Sequence, residues 1–295
     1  MKKIRCAAAL AALALLMIAP AWAEGVPEFR VDPFWPKPLP NNWIFGEIGG
    51  IAVDRHDHVW VLQRPRSLKD DEQGAALTPP ISKCCLPAPP VLEFDQSGNL
   101  LQAWGGPGSG FDWPLREHGI FVDARDHVWI GGNEKDDHQI VEFTRDGKFI
   151  KQIGESAKSE GSNSTRFLGR PALAIVDDAA HELYVADGYG NKRIVVFDAD
   201  TGAFKRMWGA FGKEPSDAKM VKPKVPEASR IPAMYETGTG PDQFVLPVHA
   251  ARAVRAMLVV GDPPHVAVAP ARQRDVTHLR EVRRVGTAAD IGNRR

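Results

Sequence analysis

Apolar and polar residues alternate along most of the chain in short runs that are bounded by Asp, Gly and Asn. Three groups of runs repeat in the same order, and they open with the similar segments 50–54, 119–123 and 172–177. Alternation with a period of two between such turn residues predicts antiparallel β-strands joined by hairpins. No segment after residue 23 has a convincing helical period, so the pattern predicts an all-β protein.

Each group continues in the same way after its opening run. The second run carries an aromatic residue, the third ends in Phe, and a fourth closes on an apolar residue and glycine. These positions are Trp60, Trp129 and Tyr184, then Phe94, Phe143 and Phe197, then Trp104, Ile153 and Trp208. Four strands in a repeat of about fifty residues predict a β-propeller, because such sheets bury both faces only against neighbouring blades.

The repeats also set the expected organisation of the chain. Full blades are predicted near residues 47–105, 111–154 and 166–209, and a fourth should start at 242. About three and a fraction blades of an expected six are therefore present, within a partial propeller at 24–249. The first blade carries a Pro-rich insertion, 66–90, that contains Cys84 and Cys85. These cysteines could form a vicinal disulfide, pair between chains or stay reduced, and a structural role in the loop is favoured.

The first residues predict export. Lys2, Lys3 and Arg5 precede the apolar stretch 10–18, and Ala21-Trp22-Ala23 fits a cleavage site, so 1–23 is interpreted as a signal peptide. The expected product is periplasmic or secreted and carries no membrane segment after cleavage. Its formal charge falls from 0 to −3 on loss of the three basic residues, which is too weak a bias to indicate a nucleic-acid partner.

The repeat pattern stops after about residue 249. Residues 250–295 contain nine Arg but no Lys and no Phe, Tyr or Trp, unlike the blades before them. We interpret this tail as out-of-frame translation or a decayed end, so the chain looks truncated or frameshifted, and little or no activity is expected of it. The alternative is a basic, disordered extension.

Residues at the start of each innermost strand should converge on the channel of a propeller. His118 has this position in blade two and His249 in blade four. In a six-bladed ring, His in blades two, four and six would present three imidazoles and leave a fourth position open, which is the geometry of a catalytic zinc. The third ligand is not found in this sequence. The hairpin residues His56, His58, His127 and His181 are expected in solvent.

A family resemblance adds to this interpretation. From about residue 46 to 249 the chain resembles the NHL-repeat propellers, and more narrowly the peptidyl-α-hydroxyglycine α-amidating lyases (peptidylamidoglycolate lyases) and their bacterial exported relatives. The most specific match is the segment 184–195, which contains Asp187-Gly188-Tyr189. The proline-to-histidine spacing at 114–118 and 247–249 departs from the family, and Gly190 stands where the family has a cysteine.

The resemblance implies roles for particular residues. Tyr189 would be the catalytic base, Arg64 would bind or orient the substrate, and His118 and His249 would be zinc ligands. A structural calcium would be held by backbone carbonyls at Ile51 and Ile120.

The favoured function is a zinc lyase that cleaves a peptidyl α-hydroxyglycine, or another small hydroxylated amide, to an amide and glyoxylate. A non-catalytic NHL propeller that binds a protein or carbohydrate partner is the main alternative. A propeller lactonase with a calcium site is a third, and it would require acidic channel residues.

Overall fold

The computed structural model describes residues 30–217, and strands dominate this range. The chain divides into two units, Met1–Trp35 and Pro36–Arg295. In the described part of the first unit, the amide of Phe34 donates to Asp32 Oδ1 at 2.9 Å. The predicted signal peptide, the start of blade four with His249, and the tail 250–295 lie outside the described residues.

Three four-stranded sheets form the described part of the second unit. All neighbouring strands within them are antiparallel and follow chain order across the sheet. Blade one contains β2 (Glu47–Val53), β3 (Val59–Arg64), β5 (Val91–Phe94) and β6 (Leu100–Trp104). Blade two contains β7 (Glu117–Val122), β8 (Val128–Gly132), β9 (Gln139–Phe143) and β10 (Phe149–Gly154). Blade three contains β11 (Leu173–Asp177), β12 (Glu182–Asp187), β13 (Arg193–Asp198) and β14 (Phe204–Trp208). The predicted all-β propeller architecture is thereby confirmed.

The remaining elements are short. Strands β1 (Trp43–Ile44) and β4 (Leu86–Pro87) pair in parallel, and β4 belongs to the insertion of blade one. Next to β4, Cys84 and Cys85 form a disulfide, which is one of the three states left open by the sequence. Two 3₁₀ turns occupy Pro65–Ser67 and Ala210–Gly212. Within residues 30–217, no helix is long and apolar enough to cross a bilayer.

The core lies between neighbouring blades. Trp60 of blade one shares a buried cluster with Ile120 and Val122 of the innermost strand of blade two. Trp129 of blade two shares a second cluster with Val176 of blade three. The tryptophan of the second strand is thus buried against the next blade in both blade one and blade two. This packing fixes the blades relative to one another.

Glycines let the innermost strands approach each other closely. A Cβ atom built on Gly49 of β2 would lie 2.5 Å from the carbonyl oxygen of Glu117, and one built on Gly119 would lie 2.5 Å from that of Ala172. Any larger residue at these positions would collide with the backbone of the next blade. The close approach brings the start of β7 beside the end of β3, where the candidate site lies.

Candidate functional site

Three predicted site residues from three different blades meet at the start of β7. The hydroxyl of Tyr189 lies 3.1 Å from Nε2 of His118, and the two rings meet edge to face with centroids 5.1 Å apart. A guanidinium nitrogen of Arg64 lies 3.5 Å from Nδ1 of the same imidazole. We call these three residues the His118 site. The other predicted zinc ligand, His249, lies outside the described residues.

Arg64 is held from two sides. Its Nε donates to the backbone carbonyl of Glu117 at 2.7 Å, and a terminal nitrogen donates to Oε2 of Glu47, also at 2.7 Å. The β2–β3 register places Glu47 directly opposite Arg64. Only 13% of the Arg64 side chain is exposed, so the guanidinium has a fixed position at the junction of blades one and two.

A buried ion pair supports the loop that carries Tyr189. Arg193 Nε and Asp187 Oδ2 are 2.9 Å apart, and both side chains are fully buried. The other oxygen of Asp187 accepts from the amide of Gly169 at 2.7 Å, and Oδ2 also accepts from the Asn191 amide group at 2.7 Å. A carboxylate with several donors is held rigidly, and this one stabilises the turn that follows β12.

Arg170 contacts Tyr189 directly. The Arg170 guanidinium lies 5.7 Å from the centroid of the tyrosine ring, within cation–π range. The backbone carbonyl of Arg170 accepts a hydrogen bond from the Tyr189 amide at 3.3 Å. The same guanidinium donates twice to the carbonyl of Asn133, at 3.0 and 2.7 Å. Sequence reasoning missed Arg170, whose one local signal is its place before Pro171 at the entry to β11.

The surroundings of His118 favour its neutral form. Burial lowers the pKa of His118 below its usual value of 6.5, and the positive charges of Arg64 and Arg116 lower it further. A neutral imidazole keeps a lone pair that can bind a metal or accept a proton. Sequence reasoning also missed Arg116 and Glu47, since no local pattern indicates that either side chain lies near this site.

The hairpins hold a different kind of histidine cluster. His58 Nδ1 lies 2.7 Å from the buried carboxylate of Glu93, and His127 Nδ1 lies 2.8 Å from that of Glu142. An aspartate joins each pair: Asp54 accepts from the indole N–H of Trp60, and Asp123 accepts from that of Trp129. We call these groups the hairpin clusters: Asp54, His58 and Glu93 in blade one, and Asp123, His127 and Glu142 in blade two.

The prediction that these two histidines lie in solvent is wrong. The His58 and His127 side chains are 24% and 27% exposed because a glutamate on the third strand draws each imidazole inward. The signal for this was a Glu inside an otherwise apolar run, at 93 and at 142. His56 and His181 are exposed as predicted, and they contact Asp126 and Asp200.

Each hairpin cluster has the ligand types of a cation site, but protein cations already contact it. Arg145 pairs with Glu93 and lies 3.0 Å from His58 Nδ1. Lys151 Nζ lies 3.0 Å from Glu142. These side chains neutralise the carboxylates, so the clusters serve as links within and between blades.

The two residues of the predicted calcium site lie in neighbouring innermost strands. Ile51 is in β2 with 63% exposure, and Ile120 is in β7 with 4% exposure. The expected ligands are backbone carbonyls, which side-chain exposure does not test. Calcium at these positions stays a prediction.

Comparisons with known proteins support the repeat assignment. No protein-family model matches the sequence. NHL repeat-containing protein 3 of Mus musculus is 29% identical over 197 residues, which cover 64% of this chain and 47% of that protein. Peptidyl-glycine alpha-amidating monooxygenase A of Xenopus laevis is 26% identical over 188 residues, which cover 60% of this chain and 18% of that protein. The chain thus spans about half the length, or less, of these curated relatives.

Among solved structures, virginiamycin B lyase from Staphylococcus aureus matches 56% of this chain and 42% of its own, with 14% sequence identity and a TM-score of 0.34. The fold assignment rests instead on the repeats, the sheets and the sequence relatives. The recurring strand pattern, the three four-stranded antiparallel sheets and the similarity to NHL repeat-containing protein 3 support a β-propeller fold of NHL type for this chain.

Proposed function

We propose that the His118 site belongs to a zinc-dependent lyase that cleaves an N-acyl α-hydroxyglycine to an amide and glyoxylate. The observation that supports this proposal is the meeting of Tyr189 and Arg64 on the two nitrogens of His118, at 3.1 and 3.5 Å. The three residues are far apart in sequence, and they supply a base, a metal ligand and a carboxylate-binding group. The similarity to an amidating enzyme of Xenopus laevis is in keeping with this chemistry.

The residues present fit a zinc ion in part. The lowered pKa of His118 favours the neutral imidazole that metal binding requires, and His249 would be a second ligand. Arg64 and Arg116 oppose a bound cation by their charge, so the remaining ligands must compensate for them. Zinc, when bound, supplies a Lewis acid that lowers the pKa of the substrate hydroxyl.

The protein's own groups carry the rest of the reaction. The oxygen of Tyr189 takes up the hydroxyl proton of the substrate while the bond between carbon and the amide nitrogen breaks. That proton passes from Tyr189 to the leaving nitrogen, so the tyrosine returns to its starting state and the products are the amide and glyoxylate. Arg64 binds the substrate carboxylate, for which a planar guanidinium is well suited.

The test is zinc content and glyoxylate release by the full chain with an N-acyl α-hydroxyglycine. We expect weak release that requires zinc and decreases by about 100-fold or more in Tyr189→Phe, because a general base contributes about 10²–10⁴-fold. His118→Ala should lose zinc. His181→Ala, an exposed histidine of a blade-three hairpin, is the matched control and should keep both. Release that is independent of zinc, or equal in Tyr189→Phe, would contradict the proposal.

A second candidate function is non-catalytic binding of a partner. The positive charges of Arg64, Arg116 and Arg170 near His118 and Tyr189 favour a carboxylate group on a protein or carbohydrate, without any metal. Protein that purifies without zinc, and that binds a carboxylate equally well after His118→Ala, would support this alternative.

A further inference from the structure

Arg64 has a protein partner on each of its three nitrogens. Nε donates to the carbonyl of Glu117, one terminal nitrogen donates to Glu47, and the other faces Nδ1 of His118. A carboxylate that binds side-on needs two neighbouring nitrogens of the guanidinium. The two terminal nitrogens are such a pair, and Glu47 already accepts from one of them, so a carboxylate that approaches this end of the guanidinium competes with Glu47 for the same donor and the same space.

Glu47 is the partner that can leave most easily. The Glu117 carbonyl belongs to β7, whose backbone is paired with β8, and His118 is held by Tyr189. By contrast, 58% of the Glu47 side chain is exposed. Its backbone remains anchored by a hydrogen bond from its amide to Ser67 Oγ at 2.7 Å, so the carboxylate can move without disturbing the strand.

A second arginine is placed to receive Glu47. Oε2 of Glu47 lies 3.8 Å from a terminal nitrogen of Arg116, compared with 2.7 Å from Arg64. Arg116 is half exposed and has room to close this distance. When Glu47 leaves Arg64, its charge stays compensated near the site.

We propose that Glu47 occupies the carboxylate position on Arg64 in the free protein, and that a ligand must displace it to bind. The inference rests on the proposed function for the kind of ligand, an N-acylglycine-type monocarboxylate. Glu47 then acts as a competitor built into the site. It weakens binding of every carboxylate and disfavours ligands that cannot form both hydrogen bonds with Arg64.

The experiment compares the binding of N-acetylglycine to the full chain and to its variants. Binding is measured by NMR titration, from the changes in backbone amide chemical shifts. Glu47→Gln should bind about 1.4- to fivefold more tightly, because an exposed ion pair contributes about 0.2–1 kcal/mol and this competition is removed. Glu47→Ala should bind at least as tightly as Glu47→Gln. Glu155→Gln is the control: it removes one negative charge from an exposed pair with Lys158 and should bind like the wild type.

Equal or weaker binding by both Glu47 variants would overturn the inference, as would the same gain in Glu155→Gln, which would indicate a general charge effect. Absence of carboxylate binding in all variants would overturn it too. The outcome is separable from the lyase proposal because the titration needs neither zinc nor turnover. If Glu47→Gln binds N-acetylglycine more tightly but the protein does not bind zinc, this inference is supported and the lyase proposal is contradicted.

Discussion

The His118 site and the hairpin clusters both place an imidazole beside charged groups, but with opposite neighbours. His58 and His127 each contact a buried glutamate that is also paired with an arginine or lysine. His118 faces a guanidinium and a phenol, and burial with two positive charges lowers its pKa. The charges of the hairpin clusters are therefore neutralised by other side chains of the protein. The His118 site carries unbalanced positive charge and can accept an anionic ligand.

The comparison shows that residue type alone does not identify a functional histidine. In the hairpins, the strand register places the glutamate of the third strand next to the aromatic residue of the second, as in the pair of Trp60 with Glu93. That arrangement recurs in two successive blades, which is typical of structural repetition. The arrangement around His118 does not follow the repeat: it combines one residue from each of the three described blades. Function in a repeated fold depends on such specific sites and not on the repeated framework.

The largest expected effect concerns the support of the His118 site. Asp187→Ala should lower the free energy of unfolding by about 3–5 kcal/mol, because it leaves the fully buried Arg193 without its counterion. Denaturant unfolding measures this loss. Asp146→Ala, which breaks the exposed pair with Lys148, is the control and should leave the midpoint unchanged. A loss of less than about 1 kcal/mol in Asp187→Ala, which is the contribution of an exposed pair, would show that the ion pair does not hold the Tyr189 loop.

A smaller effect is expected in the hairpin cluster of blade one. Glu93→Gln should lower the free energy of unfolding by about 2–3 kcal/mol, since hydrogen bonds to a buried charged group contribute about 1.5–3 kcal/mol. Thermal or denaturant unfolding provides the measurement, and N-acetylglycine binding should not change. If the variant altered carboxylate binding instead, the separation between the two kinds of site would be wrong.

The smallest effect concerns blade three, where Glu182 is the first residue of the second strand, β12, and takes the sequence position of the hairpin histidines. Hydrogen bonds from Arg206 lower the pKa of Glu182 from its usual 4.5 to about 2, against the opposing effect of burial. A carboxylate with a lowered pKa stabilises the fold fully above about pH 4.5 and loses this contribution as the pH falls towards about 2.

Glu182→Gln tests this dependence. The difference in unfolding free energy from the wild type should be about 1 kcal/mol or less at neutral pH, because the partners Arg206 and Lys205 are partly exposed. It should shrink as the pH falls below about 4.5. A difference that grows on acidification would contradict the assigned sign.

The architecture of the described blades was predictable from the sequence for a definite reason. Alternating apolar positions, turn residues at constant offsets and one aromatic residue on each second strand depend on local geometry, and each recurs in every repeat. The position at the start of the innermost strand pointed to His118, and the family resemblance pointed to Arg64 and Tyr189. Their catalytic and metal-binding roles stay predictions.

The sequence by itself determined the strands, the repeat and the candidates Arg64, His118 and Tyr189, because these depend on local patterns and short motifs. The tertiary structure alone decided which side chains meet. Within blades these contacts are Glu47 on Arg64, Arg170 against Tyr189, and the glutamates that hold His58 and His127. Across blades they bring His118 to Arg64 and Tyr189. The physical reason is that blades contact each other through side chains and close backbone approach, and the partners in such contacts lie up to about ninety residues apart, as in the case of Arg145 and His58. No local pattern in the chain encodes a contact over that separation.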